Sequence, residues 1–196
     1  MIYVDLHVHT RFSGDSSIDP KLVVDELYAH PVVKGVAITD HETLQGYRRA
    51  AKLAQAYEGI LIIPGIEVGT PLGDLILLGV LEEPPNGLSA MELVSFAHER
   101  GGVVVAPHPF RFPGVGGHLR NLHVDAVEVF NPRASREENR MAWWVARELN
   151  LPGVAGSDAH HPSELWRAYT LIDASPDLDA VLDAIRRGRV RPIRST

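Results

Sequence analysis

The chain contains 196 residues, of which 45% are hydrophobic, and carries a formal net charge of -6 at pH 7. This length supports one substantial core, so we expect a single domain over residues 1–196. The acidic balance argues against an extended nucleic-acid surface, because phosphate-backbone binding depends on clustered Lys and Arg. With no cysteine present, disulfides and thiolate ligands are excluded. Neither a signal segment nor an apolar run of about 20 residues is visible, which predicts a cytoplasmic protein that does not bind a membrane.

Short apolar runs alternate with amphipathic segments along the whole chain. Seven of these runs predict strands, at residues 2–6, 35–38, 60–66, 103–106, 126–130, 153–155 and 169–172. A hairpin beside the third strand is predicted at residues 73–80. Apolar side chains recur every three or four positions within residues 44–54 and 178–185, which predicts helices there.

Capping patterns mark the predicted helix ends. They are two capping boxes (Ser89 with Glu92, Ser135 with Glu138), two N-caps followed by proline (Asp19-Pro20, Ser175-Pro176) and two glycines at C′ positions (Gly101, Gly188). Because strands alternate with helices, we expect parallel strand pairing with helices outside. The predicted α/β fold is a small (β/α) barrel of about seven units, with a doubly wound sheet as the alternative.

Histidines and carboxylates follow the predicted strands. His7 and His9 lie two residues apart, so both point to the same face of an extended segment. Asp15 lies in the next loop, where Gly14 allows the chain to fold back. Later strand ends supply His41, Glu67, His108, Asp158 and His160. The carboxyl ends of parallel strands meet at one rim of a barrel, so all eight side chains are candidate metal ligands.

A single histidine at a strand end is usually exposed or hydrogen-bonded and does not identify a site. Five histidines and three carboxylates at five strand ends indicate metal binding, because concentrated buried charge costs desolvation free energy unless cations neutralise it. Asp5 and Asp40 stand beside these candidates, and we expect them to orient imidazole or backbone N–H groups rather than to bind metal.

Other notable residues receive no role at this rim. We expect His30, His98, His118, His123 and His161 to lie on the surface or in hydrogen bonds. The cluster of Met141, Trp143 and Trp144 predicts packing rather than a ligand-binding cage.

The ordered motifs resemble those of the polymerase and histidinol phosphatase (PHP) superfamily. They are Asp5-Leu6-His7-Val8-His9-Thr10, Ile38-Thr39-Asp40-His41, Gly65-Ile66-Glu67, His108-Pro109 and Gly156-Ser157-Asp158-Ala159-His160. The resemblance implies a distorted (β/α)7 barrel, two or three divalent metal ions and hydrolysis of phosphate esters. It also implies that the eight candidates are ligands and that Glu67 bridges two metals. Where family members often place a further His or Cys ligand, this chain has Asn131 as a weak substitute.

Nitrogen and oxygen ligands suit Zn, Mn or Fe without distinguishing among them. Two such cations about 3.5 to 4 Å apart would lower the pKa of a bridging water, so that hydroxide attacks phosphorus. Three arginines near the rim, Arg111, Arg133 and Arg11, are candidate catalytic residues that meet the charge developing on phosphate.

The predicted substrate is a small phosphate ester, meaning a phosphomonoester, a nucleotide or a short diester. Two alternatives stay open: a metal-dependent hydrolase of another bond such as an amide, and a non-catalytic metal-binding module. The absence of a lysine after any predicted strand, where a carbamate would bridge metals, argues against the first alternative. The sequence does not determine the oligomeric state.

Overall fold

The computed structural model describes residues 1–195. Over these residues the elements are β1 (Ile2–Val8), α1 (Pro20–Ala29), β2 (Val33–Ile38), α2 (Gln45–Ala54), β3 (Leu61–Thr70), β4 (Gly73–Leu78), α3 (Ala90–Glu99), β5 (Val103–Ala106), β6 (Ala126–Phe130), α4 (Arg136–Glu148), β7 (Gly153–Ala155), β8 (Ala168–Ile172), α5 (Leu178–Arg186) and β9 (Val190–Arg194). Short 3₁₀ helices lie at Arg11–Ser13, Gly116–Asn121 and Pro162–Glu164. Within the described part of the chain, no helix has the length and apolar character needed to cross a membrane.

The strands form one sheet in the order β7-β6-β5-β4-β3-β2-β1-β8-β9, which curls into a nearly closed barrel. Closure occurs where the chain after β7 returns to β1. The His9 N–H donates to the carbonyl of Ala159 at 3.0 Å, and the Asp158 N–H donates to the carbonyl of His7 at 2.8 Å. The predicted α/β fold with a distorted barrel is therefore confirmed.

Parallel pairing was predicted for the seven strands and is wrong for β8, whereas the predicted hairpin beside the third strand is confirmed. The hairpin strand β4 joins the sheet antiparallel to both β3 and β5, and β8 runs antiparallel to β1 and β9. Strand β9 was not predicted, because Arg191, Pro192 and Arg194 interrupt its apolar pattern. Proline is tolerated here because β9 lies at the edge of the sheet.

A buried apolar cluster fills the barrel. Strands β1 to β8 each contribute to it, through residues that include Val4, Ala37, Ile63, Ile76, Val105, Ala126, Val154 and Ile172. Side chains from so many strands can meet only inside the barrel. Val181, Leu182 and Ile185 of α5 belong to the same cluster. Leu182 also approaches Gly79, which follows the end of antiparallel β4, so α5 closes the end opposite the predicted rim.

Most capping predictions are confirmed. Both capping boxes form, Asp19 caps α1, and Gly101 and Gly188 have left-handed φ values of 72° and 68°. The Ser175 prediction was wrong. Asp177 is the N-cap of α5, because its carboxylate accepts the Ala180 N–H at 2.9 Å while the Ser175 hydroxyl donates to that carboxylate.

The prediction that the aromatic cluster on α4 serves packing was also wrong. Met141, Trp143 and Trp144 are 46%, 46% and 65% exposed. The reason is helical phase: α4 turns Ala142 and Ala146 toward the core, which leaves the large apolar side chains outside.

Candidate metal centre

Glu67 stands at the centre of a buried group of imidazoles. Its Oε2 atom lies 3.2 Å from Nε2 of His7 and 3.0 Å from Nε2 of His9, while its Oε1 atom lies 3.2 Å from Nε2 of His108. The Nε2 atoms of His7 and His9 are themselves 3.0 Å apart. The two oxygens of one carboxylate in β3 thus face His7 in β1, His9 directly after β1, and His108 in the segment after β5.

The segment after β7 adds a second carboxylate to this group. The Oδ1 atom of Asp158 lies 3.5 Å from Nε2 of His7 and 3.5 Å from Nε2 of His9. Asp158 is 1% exposed, and its position follows from the hydrogen bond between its N–H and the carbonyl of His7. Barrel closure therefore brings the two ends of the motif set together.

A more open group lies beside the buried one. Asp15 Oδ2 lies 3.1 Å from Nε2 of His160 and 3.5 Å from Nε2 of His41. The preceding Gly14 has a φ of 87°, a left-handed turn that brings Asp15 back to the rim as predicted. The side chain of Asp15 is 52% exposed, so this part of the cluster is accessible from solvent.

The donor atoms fall into four overlapping groups, each with its ligand atoms within 4.8 Å of one another. They are His9 with Asp15, His41 and His160; His7 with His108 and Asp158; His7 with His9 and Glu67; and Glu67 with Asp74 and His108. Three or four protein donors are the number that a catalytic divalent cation takes. All eight predicted ligands are brought together, and the cluster supports divalent metal binding.

Hydrogen bonds leave the required imidazole nitrogens free to bind metal. In the neutral ring, Nδ1–H of His7 donates to Glu128 Oε1 at 3.0 Å, and Nδ1–H of His160 donates to the carbonyl of Asp158 at 2.9 Å. Both acceptors lack a hydrogen to give back, so the lone pair of each histidine is on Nε2, which faces the cluster. This tautomer fits a metal ligand.

The buried carboxylates of the cluster are stabilised by nearby positive charge. Burial alone lowers the pKa of His7, but Asp158, Glu128 and Glu67 raise it well above its ordinary value. Burial alone raises the pKa of Asp158, but His7, His9 and His108 bring it down to about 2. The carboxylates are therefore ionised in a water-poor site, where coordinated cations would stabilise them.

Two predicted ligands have strained backbone conformations. His108 has a φ of 25° and Asp158 a φ of 51°, in the left-handed region that non-glycine residues rarely adopt. Such a conformation costs about 1 to 3 kcal/mol and persists only where surrounding contacts enforce it. For His108 the contact is its N–H, which donates to Glu128 Oε2 at 2.8 Å.

Sequence reasoning missed Glu128. This carboxylate accepts from the ring of His7, the N–H of His108 and the side-chain amide of Asn131, so it fixes three groups around the centre. It is 2% exposed. The available signal was a lone charged residue inside the apolar strand Ala126–Phe130.

Sequence reasoning also missed Asp74. Because β4 is antiparallel, its start rather than its end lies at the rim, and Asp74 approaches Glu67 and His108 there. Burial, with Glu67 nearby, raises the pKa of Asp74 to about 6. The predicted hairpin contained this residue, but only the strand direction shows that it reaches the cluster.

Asp5 and Asp40 hold backbone segments, as expected. Asp5 Oδ1 accepts the N–H groups of Ser157 and His7 at 2.9 Å and 3.3 Å. The carboxylate of Asp40 accepts the N–H and the hydroxyl of Thr10 at 2.5 Å and 2.7 Å. Burial raises the pKa of Asp5 to about 7 and that of Asp40 to about 6.

Asn131 lies at the centre but turns its nitrogen toward it. Its Nδ2 donates to Glu128 Oε2 at 2.8 Å and to Asp158 Oδ2 at 3.1 Å. Its Oδ1 accepts the N–H of Arg133 at 2.8 Å. In this orientation the amide positions two carboxylates and does not direct its oxygen toward a cation.

The three candidate arginines occupy different positions. Arg111 Nη2 lies 2.6 Å from Asp158 Oδ2, and Arg133 Nε lies 3.8 Å from the same atom. Arg11 instead forms an ion pair with Asp19 at 2.9 Å. The fold therefore brings Arg111 and Arg133 to the cluster, whereas Arg11 is engaged at the start of α1.

A barrel with imidazole and carboxylate donors on one rim defines a class of metal-binding α/β protein. Within that class, residues 5–112 match the PHP domain and residues 136–190 match the PHP-associated model PHP_C. The chain belongs to the PHP domain family.

Similar proteins include both sequence relatives and a solved structure. An uncharacterized protein of Methanocaldococcus jannaschii is 34% identical over 139 residues, covering 65% of this chain and 80% of that protein. A 5'-3' exoribonuclease of Haemophilus influenzae is 30% identical over 87 residues, covering 39% of this chain and 32% of that enzyme. A two-domain Bacteroides vulgatus protein containing a predicted PHP-like metal-dependent phosphoesterase superposes with a TM-score of 0.82 at 19% identity. That match covers 98% of this chain and 64% of that protein. At such low identity it shows the fold alone.

Proposed function

We propose that this protein is a metal-dependent phosphoesterase that hydrolyses a small phosphate ester, such as a phosphomonoester, a nucleotide or a short diester. The observation that carries the proposal is the overlap of the donor groups around Glu67, with the guanidinium of Arg111 on the same rim. Family membership supports the broader class of metal-dependent hydrolase.

We assign two or three divalent ions, Zn, Mn or Fe, to the cluster. The proposed ligands are His7, His9, Asp15, His41, Glu67, His108, Asp158 and His160. Two donor groups share Glu67 through different oxygens, which supports a bridging role for this carboxylate. When bound, such ions lower the pKa of coordinated water and neutralise phosphate oxygens.

The protein's own contribution is to orient the phosphate. Arg111 uses Nη2 on Asp158, and its buried Nε has no hydrogen-bond partner among the described residues. Arginine N–H groups match phosphate oxygens in geometry and charge, so Arg111 and the half-exposed Arg133 are suited to hold the ester. We assign no such role to Arg11, because its guanidinium is paired with Asp19.

The rim favours this proposal over its two alternatives. Two guanidinium groups beside a metal cluster suit a phosphate dianion better than a neutral amide. The exposed position of Asp15 leaves the cluster reachable by substrate, which a purely structural metal site does not need. One relative is named a 5'-3' exoribonuclease, and the cleavage of RNA breaks phosphate ester bonds, which is consistent with the proposal.

The test combines metal analysis with a substrate panel. The purified protein is assayed on the monoester p-nitrophenyl phosphate, on the diester bis(p-nitrophenyl) phosphate and on nucleotides, with and without added Mn or Zn. We expect metal-stimulated hydrolysis that His160→Ala abolishes, while His123→Ala, an exposed histidine outside the cluster, retains it. Equal turnover by the His160→Ala variant and the parent would assign the activity to a contaminant or to another site.

A further inference from the structure

A second concentration of positive charge lies on the same rim as the metal cluster. Arg136 opens α4, Arg167 directly precedes β8, and Arg194 ends β9. These three arginines line one cavity of about 260 Å³ together with Phe130 and Asn131. Because the chain is acidic overall, three cations around one cavity are a local departure from its charge balance.

The topology explains why arginines from distant positions converge. In the antiparallel β8–β9 pair, Ala168 lies opposite Arg194, so the residue before β8 stands beside the end of β9. The guanidinium of Arg194 lies 5.8 Å from the ring centroid of Phe130, at the end of β6. This cation–π contact restricts Arg194 to the cavity wall.

None of the three guanidinium groups forms an ion pair or a side-chain hydrogen bond with residues 1–195, and Arg194 has only its cation–π contact with Phe130. Several other arginines are paired, as Arg120 is with Glu148 at 2.5 Å, and the exposed Arg49 and Arg191, which also lack ion pairs, do not line this cavity. The carboxylate of Glu164 does not pair with these arginines, because it is paired with Arg133 and accepts the N–H groups of His160 and His161. The cavity therefore has unused cationic donors, whose mutual repulsion is screened by water and salt and is relieved by a bound anion.

One residue separates this cavity from the metal cluster. Asn131 lines the cavity and also donates from its side chain to Asp158 Oδ2. A substrate that extends from the cluster past Asn131 therefore enters the cavity lined by the three arginines. Guanidinium groups are always charged and present forked donors that match phosphate oxygens.

We propose that Arg136, Arg167 and Arg194 form a second phosphate-binding site beside the metal centre. The bound anion is either a second phosphate group of the substrate or free inorganic phosphate. Only the first of these two sources rests on the proposed function. In both cases the three guanidinium groups bind the anion without taking part in bond cleavage.

The first experiment measures binding and does not depend on activity. Inorganic phosphate is titrated into the protein, and the arginine Nε–H resonances, assigned by Arg136→Gln, Arg167→Gln and Arg194→Gln, are followed by NMR. We expect saturable shifts at these three resonances, and in the Arg167→Gln/Arg194→Gln double variant we expect the remaining Arg136 resonance to stop responding to phosphate. The matched control is Arg49→Gln/Arg191→Gln, which removes two exposed arginines outside the cavity. Absence of shifts, or equal shifts at Arg49 and Arg191, overturns the proposal.

The second experiment identifies the source of the phosphate. The kcat/KM of a mononucleotide is compared with that of the matching dinucleotide carrying one more phosphate, and p-nitrophenyl phosphate serves as the one-phosphate reference. If the site binds substrate, the double variant loses about tenfold or more in kcat/KM for the dinucleotide alone, equivalent to about 1.4 kcal/mol or more of binding free energy. If it binds free phosphate, the NMR shifts occur without this selective loss. A protein inactive on every substrate overturns the proposed function, while the titration still decides the phosphate site.

Discussion

The two ends of the barrel are formed by the same strands but by opposite kinds of side chain. At the rim, His9, Glu67 and Asp158 are almost completely buried charged or polar groups. At the other end, Val181 and Leu182 of α5 close an apolar interior. Apolar burial stabilises the fold by about 25 cal/mol per Å², whereas buried charges cost free energy until they are paired. The closed end therefore stabilises the fold, whereas the rim supplies the charged and polar groups of the candidate metal centre.

The largest expected effect is on the rim. Glu67→Gln keeps the volume of the side chain but removes its charge, so the proposed bridge between metals is lost. We expect hydrolysis to fall about a thousandfold, equivalent to about 4 kcal/mol of barrier, with the fold intact by circular dichroism. Glu58→Gln, an exposed substitution on the loop after α2, is the matched control. Near-normal turnover of Glu67→Gln with full metal content contradicts the bridging role.

The closed end should respond in the opposite way. Leu182→Ala removes buried methyl groups from a 4% exposed side chain, and we expect a loss of about 3 kcal/mol in the free energy of unfolding. Metal content per folded molecule should not change. Trp144→Ala on the exposed face of α4 should alter stability by less than about 0.5 kcal/mol. If Leu182→Ala released metal without lowering stability, the division between the two ends would be wrong.

A substitution of Glu128 tests whether its hydrogen bonds orient the groups around the metal cluster. Glu128→Gln replaces one carboxylate oxygen by an NH2 group, so at least one of the N–H groups of His7, His108 and Asn131 loses its acceptor. We expect metal affinity to fall about 10- to 100-fold, measured by competition with a chromogenic chelator. The turnover of the fully loaded variant should change less than its affinity. An unchanged affinity would show that the orientation of His7 does not depend on this carboxylate.

The smallest predicted effect separates substrate binding from metal binding. Arg111→Ala removes a guanidinium that contacts Asp158 and, in the proposed function, the phosphate. We expect kcat/KM for phosphate esters to fall about tenfold with metal content unchanged, as mass spectrometry of bound metal can verify. Arg11→Ala should change turnover by less than about twofold, because Arg11 pairs with Asp19 at an exposed position. Loss of metal from Arg111→Ala would assign this arginine to the integrity of the centre instead.

The sequence by itself predicted the α/β class and the eight candidate ligands, because both depend on local order, while the family resemblance favoured the barrel over a doubly wound sheet. Alternating apolar runs define strands, and a residue near the carboxyl end of a parallel strand lies at the shared rim, as His7 in β1 and Glu67 in β3 do. The resemblance of His7-Val8-His9 and its companion motifs to the PHP superfamily was therefore sufficient to identify the family.

Only the tertiary structure decided which other groups join the rim. Asp74 reaches the cluster because β4 is antiparallel, and Glu128 because its strand turns it toward His7. Arg136, Arg167 and Arg194 line one cavity because the unpredicted strand β9 ends beside the start of β8. The physical reason is that strand direction and register are set by contacts between segments far apart in the chain, which local spacing does not encode.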